Sequence, residues 1–131
     1  MKTGKITCSH LYCAMDLGTA VNPAMVENQM SGCLVMGCSR ALVEETQFTK
    51  VRQTSVDWVT YPILRFADSP SVTTIVLQRL DQPANGAGEP AEAAVPAAIG
   101  NAFFDATGVR LTRMPMNPPY VLAALKAAGK A

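Results

Sequence analysis

The residues best placed to do chemistry lie in Gly86-Ala87-Gly88-Glu89-Pro90. Two glycines leave the backbone bare and free to take positive φ, which suits a loop wrapped closely around another group. A single carboxylate, Glu89, ends that loop with a proline behind it. Further on, Ile99, Ala102, Phe103 and Ala106 recur at i, i+3, i+4 and i+7, the stripe of a helix packed on a core. Spacing alone leaves two readings of Glu89. One is a surface carboxylate near a helix N-terminus, stabilised by the dipole by roughly 0.3–1 kcal/mol. The other is a general base, which needs a carboxylate held in a partly dry pocket that raises its pKa. The same glycines fit Gly86-x-Gly88-x-x-Ala91, a loose form of the dinucleotide fingerprint. Two features count against nicotinamide binding: five residues, Asp81 to Asn85, intrude before the first glycine, and Pro96 starts the helix beyond the motif.

Gln29 is the second candidate, a polar residue in an otherwise apolar helix. It is either a satisfied core amide or exposed helix edge, or a ligand contact offering both donor and acceptor. The four cysteines fall as Cys8/Cys13 and Cys33/Cys38. Neither pair has the two-residue gap usual in zinc or iron–sulfur ligation. Buried small apolar side chains are the expectation for all four. His10 is the only histidine, which removes histidine-rich metal sites and counts against a Ser-His-Asp triad. No residue of the chain is assigned to a metal.

These residues must be positioned by a short chain of elements. Ile6 to Met15 reads as a strand with both faces partly covered, and Asp16-Leu17-Gly18-Thr19 as a turn. Asn22-Pro23 supplies an N-cap and a first-turn proline, so a helix is expected from Pro23 to about Leu42. It is apolar nearly all round, which predicts burial on every side. Gly32 and Gly37 weaken that helix by about 1 kcal/mol each, and close approach of a neighbouring backbone would compensate. Val43–Phe48 and Val51–Val56 suggest a hairpin, Trp58–Asp68 an irregular aromatic stretch, and Val72–Leu77 a β-branched strand. After the glycine loop and its helix come a C-cap at Gly108, a short strand over Val109–Met114, and a last helix opened by Asn117-Pro118. The order predicts a single α+β domain over 1–131, with a mixed or antiparallel sheet, one long buried helix and two shorter C-terminal helices.

The chain has 131 residues, 49% of them hydrophobic and 16% charged, with a formal net charge of +1. About a quarter charged is usual, so this is a charge-poor domain expected to bury apolar surface against a partner. No basic stripe marks it for nucleic acid. No apolar run approaches the ~20 residues needed to span a bilayer. The stretch Met1-Lys2-Thr3-Gly4-Lys5 leads into a mixed strand pattern and not a signal-peptide core, so export by this N-terminus is not expected.

Taken together, Asp16-x-Gly18, Asn22-Pro23, Gln29, Gly32, Gly37, Glu44-Glu45, Tyr61-Pro62 and Gly88-Glu89-Pro90 follow one another in a characteristic order. In that order they resemble the large subunits of molybdenum hydroxylases, the xanthine dehydrogenase and aldehyde oxidase family. The ending Ala106-Thr107-Gly108-Val109-Arg110-Leu111 and Met114-Pro115 is most similar to the isoquinoline oxidoreductase large (beta) subunit. The likeness runs from about Ile6 to Ala124.

The resemblance implies that Glu89 matches the general base that deprotonates a molybdenum-bound hydroxide, whose oxygen attacks an electron-poor carbon of an N-heterocycle or aldehyde. It implies that Gln29 hydrogen-bonds the molybdopterin cofactor, with Gly86 and Gly88 in the loop beside it. Electrons would leave through iron–sulfur clusters on a partner subunit or domain. The family's large subunits are several times longer, so the chain resembles their C-terminal portion: an excised domain, a separately encoded piece, or a remnant. By itself it is expected to hold no cofactor and to be inactive, with a cytoplasmic location, or a periplasmic one if an exported partner carries it. A non-catalytic, self-associating domain is the alternative. Met25, Met36, Trp58, Tyr61 and Phe66 are the contact surface expected to drive a homo-oligomer, beside the glycine loop or along a strand edge.

Overall fold

In the computed structural model, residues 3–131 are described; Met1 and Lys2, which begin the N-terminal stretch read for export, lie outside them. Strand β1, His10–Asp16, buries Leu11 and Met15, half-buries Cys13, and turns His10, Tyr12, Ala14 and Asp16 outward. Strand β2, Ser71–Leu77, alternates in the same way, with Val72, Thr74 and Val76 inward. The two pair in parallel, His10 facing Ser71 and Asp16 facing Leu77.

The α+β class holds, with a correction to the sheet: it has two strands and is parallel, not mixed or antiparallel. Parallel neighbours need a long crossover, and here a helix and an extended loop provide it. The strand is also shorter than Ile6–Met15, and its outer face is open. The expected hairpin shrinks to one antiparallel bridge between Phe48 and Gln53. Val109–Met114 forms no strand, although Val109 and Leu111 are buried. Neither segment finds a neighbouring strand with which to extend a ladder, so propensity alone does not make them sheet.

Helix α1 spans Pro23–Leu42, as the cap signal predicts; Asn22 Oδ1 accepts from the Met25 amide at 3.2 Å. Burial on every side is corrected. Val26, Met30, Cys33, Leu34, Gly37, Cys38, Ala41 and Leu42 are buried, but Met25 is 61% and Met36 45% exposed. A two-stranded sheet and the remaining helices cover one side of a 20-residue helix and leave the other in water. A short helix α2, Pro90–Ala93, leads into α3, Val95–Thr107, and α4 covers Pro118–Ala127. Asn117 Oδ1 caps α4 by accepting from the Tyr120 amide at 3.1 Å.

The core has two parts. Leu11, Leu34, Cys38, Ile99, Val121 and Leu125 belong to the larger, between α1, α3 and α4. Met15, Leu17, Val26, Met30, Cys33 and Ala91 form the smaller, under the start of α1. Cys33 and Cys38 thus point into different clusters, as a spacing of five on a helix requires. All four cysteines are free.

Candidate active site

The geometry of the site begins in the turn after β1. The Gly18 amide donates to Asp16 Oδ1 at 3.0 Å. Gly18 has φ of 77°, and a Cβ there would lie 2.0 Å from the Pro83 carbonyl oxygen, so only glycine lets the two loops touch. The contact is then stitched on both sides. The Thr19 amide and hydroxyl donate to the Gln82 carbonyl at 3.2 and 2.7 Å, and the Asn85 amide donates to the Leu17 carbonyl at 2.7 Å. Gln78 clasps Ala20, accepting from its amide at 2.6 Å and donating to its carbonyl at 3.0 Å. The chain leaving β2 is thereby carried back over the exit of β1, and Gly86–Glu89 is delivered onto the N-terminal half of α1.

There two of the sequence candidates meet. Gln29 Nε2 donates to the Gly88 carbonyl oxygen at 2.6 Å, across 59 residues of chain. The Cys33 thiol donates to the same oxygen at 3.0 Å. Gln29 is on the exposed edge of α1, and its amide is engaged through Nε2, which leaves Oε1 for a donor from outside the chain. Beside this contact lies an open cleft of about 390 Å³, walled by Leu17, Met25, Val26, Ala84 and Ala87 with Gln29, Asn85 and Gly88. Neither Gly86 nor Gly88 takes positive φ, which corrects that expectation. A Cβ at either would meet nothing within 4 Å, so what the glycines offer is bare backbone facing open space.

Glu89 is the next residue along from the cleft wall. It is exposed and stands at the N-cap of α2, its carboxylate making no capping hydrogen bond. The surface position near a helix start is therefore what this chain alone displays. The backbone around it is nonetheless fixed. Ala91 is buried, and the Glu92 amide donates to the Glu89 carbonyl at 3.0 Å. The Glu92 carboxylate, 12% exposed, pairs with Arg40 of α1. Gly37 admits Val95 so closely that a Cβ there would lie 2.9 Å from Val95 Cβ. A carboxylate on a fixed backbone at a cleft edge can take up a proton from a bound group, and an amide with a free acceptor can orient one.

Cys33, Arg40 and Glu92 were not legible as site residues. Arg40 and Glu92 are 52 positions apart, and nothing in either local pattern marks them as partners. The meeting of Tyr61 and Glu44, whose hydroxyl donates to the carboxylate at 2.9 Å, likewise brings together two motif residues that spacing does not pair.

The molybdopterin cofactor-binding domain model matches residues 1–70. A nicotinate dehydrogenase subunit from Pseudomonas putida is 36% identical over 98% of this chain and 11% of its own length. The beta subunit of isoquinoline 1-oxidoreductase from Brevundimonas diminuta is 34% identical over 95% of this chain and 16% of its own. The aldehyde oxidoreductase structure from Desulfovibrio gigas superposes with a TM-score of 0.84 at 32% identity, covering 95% of this chain and 14% of that one. The chain thus spans a small part, 11–16%, of the length of these proteins. By its matched residues and these relatives, it belongs to the molybdopterin cofactor-binding domain family of the molybdenum hydroxylases.

Proposed function

We propose that this chain supplies the general base, Glu89, and part of the cofactor cradle, Gln29 with the backbone of Gly86 and Gly88, to a molybdopterin-dependent hydroxylase. The observation that carries the reading is the Gln29–Gly88 hydrogen bond at 2.6 Å, which joins the amide to the loop bearing Glu89. The residues fit such a group. An open cleft of about 390 Å³, bare backbone at Gly86 and Gly88, and a free amide oxygen suit a large polar cofactor lying close to the chain. When bound, molybdopterin supplies the molybdenum centre that provides oxygen and takes up two electrons. Glu89 accepts the proton released in that reaction, and Gln29 orients the cofactor through Oε1 while its Nε2 holds the loop. Bringing the cofactor and substrate over Glu89 would displace water from an otherwise exposed carboxylate and set it against the reacting group.

The substrate class is an N-heterocycle or an aldehyde, both of which appear in the names of relatives. The remaining large-subunit segments and an iron–sulfur subunit or domain complete the enzyme. By itself the chain is inactive, retains no molybdenum and self-associates. No helix among the described residues is long and apolar enough to cross a membrane. The location we propose for the enzyme is the cytoplasm, or the periplasm when an exported partner carries it.

The test is made in the assembled enzyme. Glu89→Ala lowers turnover by ~10²–10⁴ with molybdenum content near wild type. Gln29→Ala lowers molybdenum occupancy instead. Undiminished turnover in Glu89→Ala removes the assigned role. The second reading, a non-catalytic associating domain, draws on the exposure of Trp58 at 68% and Phe66 at 98%. A reading frame for the other large-subunit segments, continuous with this one or beside it, favours the enzyme; a solitary frame, with no molybdenum retained by any assembly of the chain, favours the second.

A further inference from the structure

Four residues on one stripe of α1 hold the segment that carries Glu89. At 100° per residue, Gln29, Cys33, Gly37 and Arg40 fall within about 80° of one another around the helix. Gln29 and Cys33 hold the Gly88 carbonyl on the N-terminal side of Glu89. Gly37 and Arg40 hold Val95 and Glu92 on its C-terminal side. The Glu89 carboxylate makes no capping bond of its own, so its place is set by its backbone alone.

The two sides of the grip are unequal. Gly88 is held by two donors, whereas the first turn after Glu89 has, beside the packing of Ala91, one polar side-chain tie to α1, the Arg40–Glu92 ion pair. Glu92 is only 12% exposed and Arg40 52%, so the pair lies in the seam between α1 and α2 and not in open water. Without Arg40, a nearly buried carboxylate loses its partner, and the turn must shift to return it to solvent. That turn includes the hydrogen bond from the Glu92 amide to the Glu89 carbonyl.

We propose that Arg40 is a positioning residue for Glu89, acting through its ion pair with Glu92. The proposal rests on the reading of Glu89 as the general base. Because the Gln29–Gly88 side of the loop is independent of Arg40, its loss affects the placement of the base and not the retention of cofactor. A displacement of about 1 Å is enough to cost ~10²-fold in rate.

The experiment uses the molybdenum-loaded, assembled enzyme. Arg40→Met keeps an apolar stem of similar reach, and Arg40→Lys keeps the charge. The double variant Arg40→Glu with Glu92→Arg reverses the pair. For Arg40→Met we expect kcat per molybdenum to fall roughly 10–100-fold, with KM and molybdenum content near wild type. Arg40→Lys and the reversed pair recover most of the loss, which a merely structural role for either side chain would not produce. A readout independent of turnover is hydrogen exchange at the Glu92 amide, expected to quicken ~10-fold in Arg40→Met and to recover in the reversed pair. Unchanged kcat per molybdenum in Arg40→Met, or activity lost only in proportion to molybdenum, overturns the proposal. Glu89→Ala run alongside separates the two ideas. Full turnover there removes the base, whereas a dead Glu89→Ala beside a fully active Arg40→Met removes only the positioning role.

Discussion

Cys38 shows how far burial alone can set the chemistry of a side chain. It is wholly inaccessible, and burial, with the Cys8 thiol beside it, pushes its pKa from 9.0 up to about 12. Burial likewise raises Cys8 and Cys13. A thiol that stays protonated is a poor nucleophile, so Cys38 acts as core. The linkage has a definite sign. Below the unfolded value of 9.0 both states hold the proton and stability is unaffected. Between there and about 12 the unfolded thiol ionises while the native one does not, so stability falls as pH rises. The slope from one such group is at most about 1.4 kcal/mol per pH unit. Urea midpoints of the chain taken between pH 8 and about 11 should fall more steeply in the wild type than in Cys38→Ala. The variant starts less stable, having lost buried volume. Equal slopes would mean that Cys38 is not protected from ionisation.

Among the elements, α1 explains both what the sequence reveals and what it hides. Its two glycines look alike in sequence, and a close neighbour is expected at each. The structure separates them: a Cβ at Gly37 would fall 2.9 Å from Val95 Cβ, and one at Gly32 meets nothing within 4 Å. Gly37→Ala should therefore destabilise by roughly 1–3 kcal/mol as α3 is pushed away. Gly32→Ala should stabilise by about 0.5–1 kcal/mol through helix propensity. Thermal or urea unfolding of the two variants checks the pair, and destabilisation by both would show that Gly32 has a neighbour the chain acquires elsewhere. The ends of α1 and α4 were legible because Asn22-Pro23 and Asn117-Pro118 are local signals whose physics acts within one turn. β2 was legible from its β-branched run. The parallel register of β1 and β2 was not, since pairing of His10 with Ser71 is decided by the whole crossover between them. The hairpin over residues 43–56 failed for the reverse reason: its local pattern was suitable, but only Phe48 and Gln53 bridge. The site divides along the same line. Glu89 and Gln29 stood out as polar residues in marked surroundings, whereas their connection through the Gly88 carbonyl, and the Arg40–Glu92 pair behind it, are tertiary facts.

At the scale of the whole molecule the open side of the sheet is the feature in need of a cover. Parallel strands are ordinarily buried on both faces, and here one face bears Tyr12 at 77%, Ile75 at 54% and Leu77 at 47% exposed. Each strand also has an outer edge with no partner among the described residues. An exposed parallel edge beside an apolar face is a template for further pairing. Burying each large side chain recovers roughly 1.5–3 kcal/mol, so a lone chain gains by meeting a second copy, and a two-fold pair is the simplest closed arrangement. The isolated chain should sediment as a dimer or larger species at micromolar concentration. Ile75→Lys with Leu77→Lys should shift it to monomer without unfolding it, since both side chains already face water. Met25, 61% exposed on the cleft wall, marks the competing interface beside the glycine loop. Monomer from Met25→Lys with an unaffected sheet variant would place the contact there instead. A wild-type chain that sediments as a clean monomer would remove self-association altogether, and the apolar face would then have to be covered by the remainder of a larger subunit.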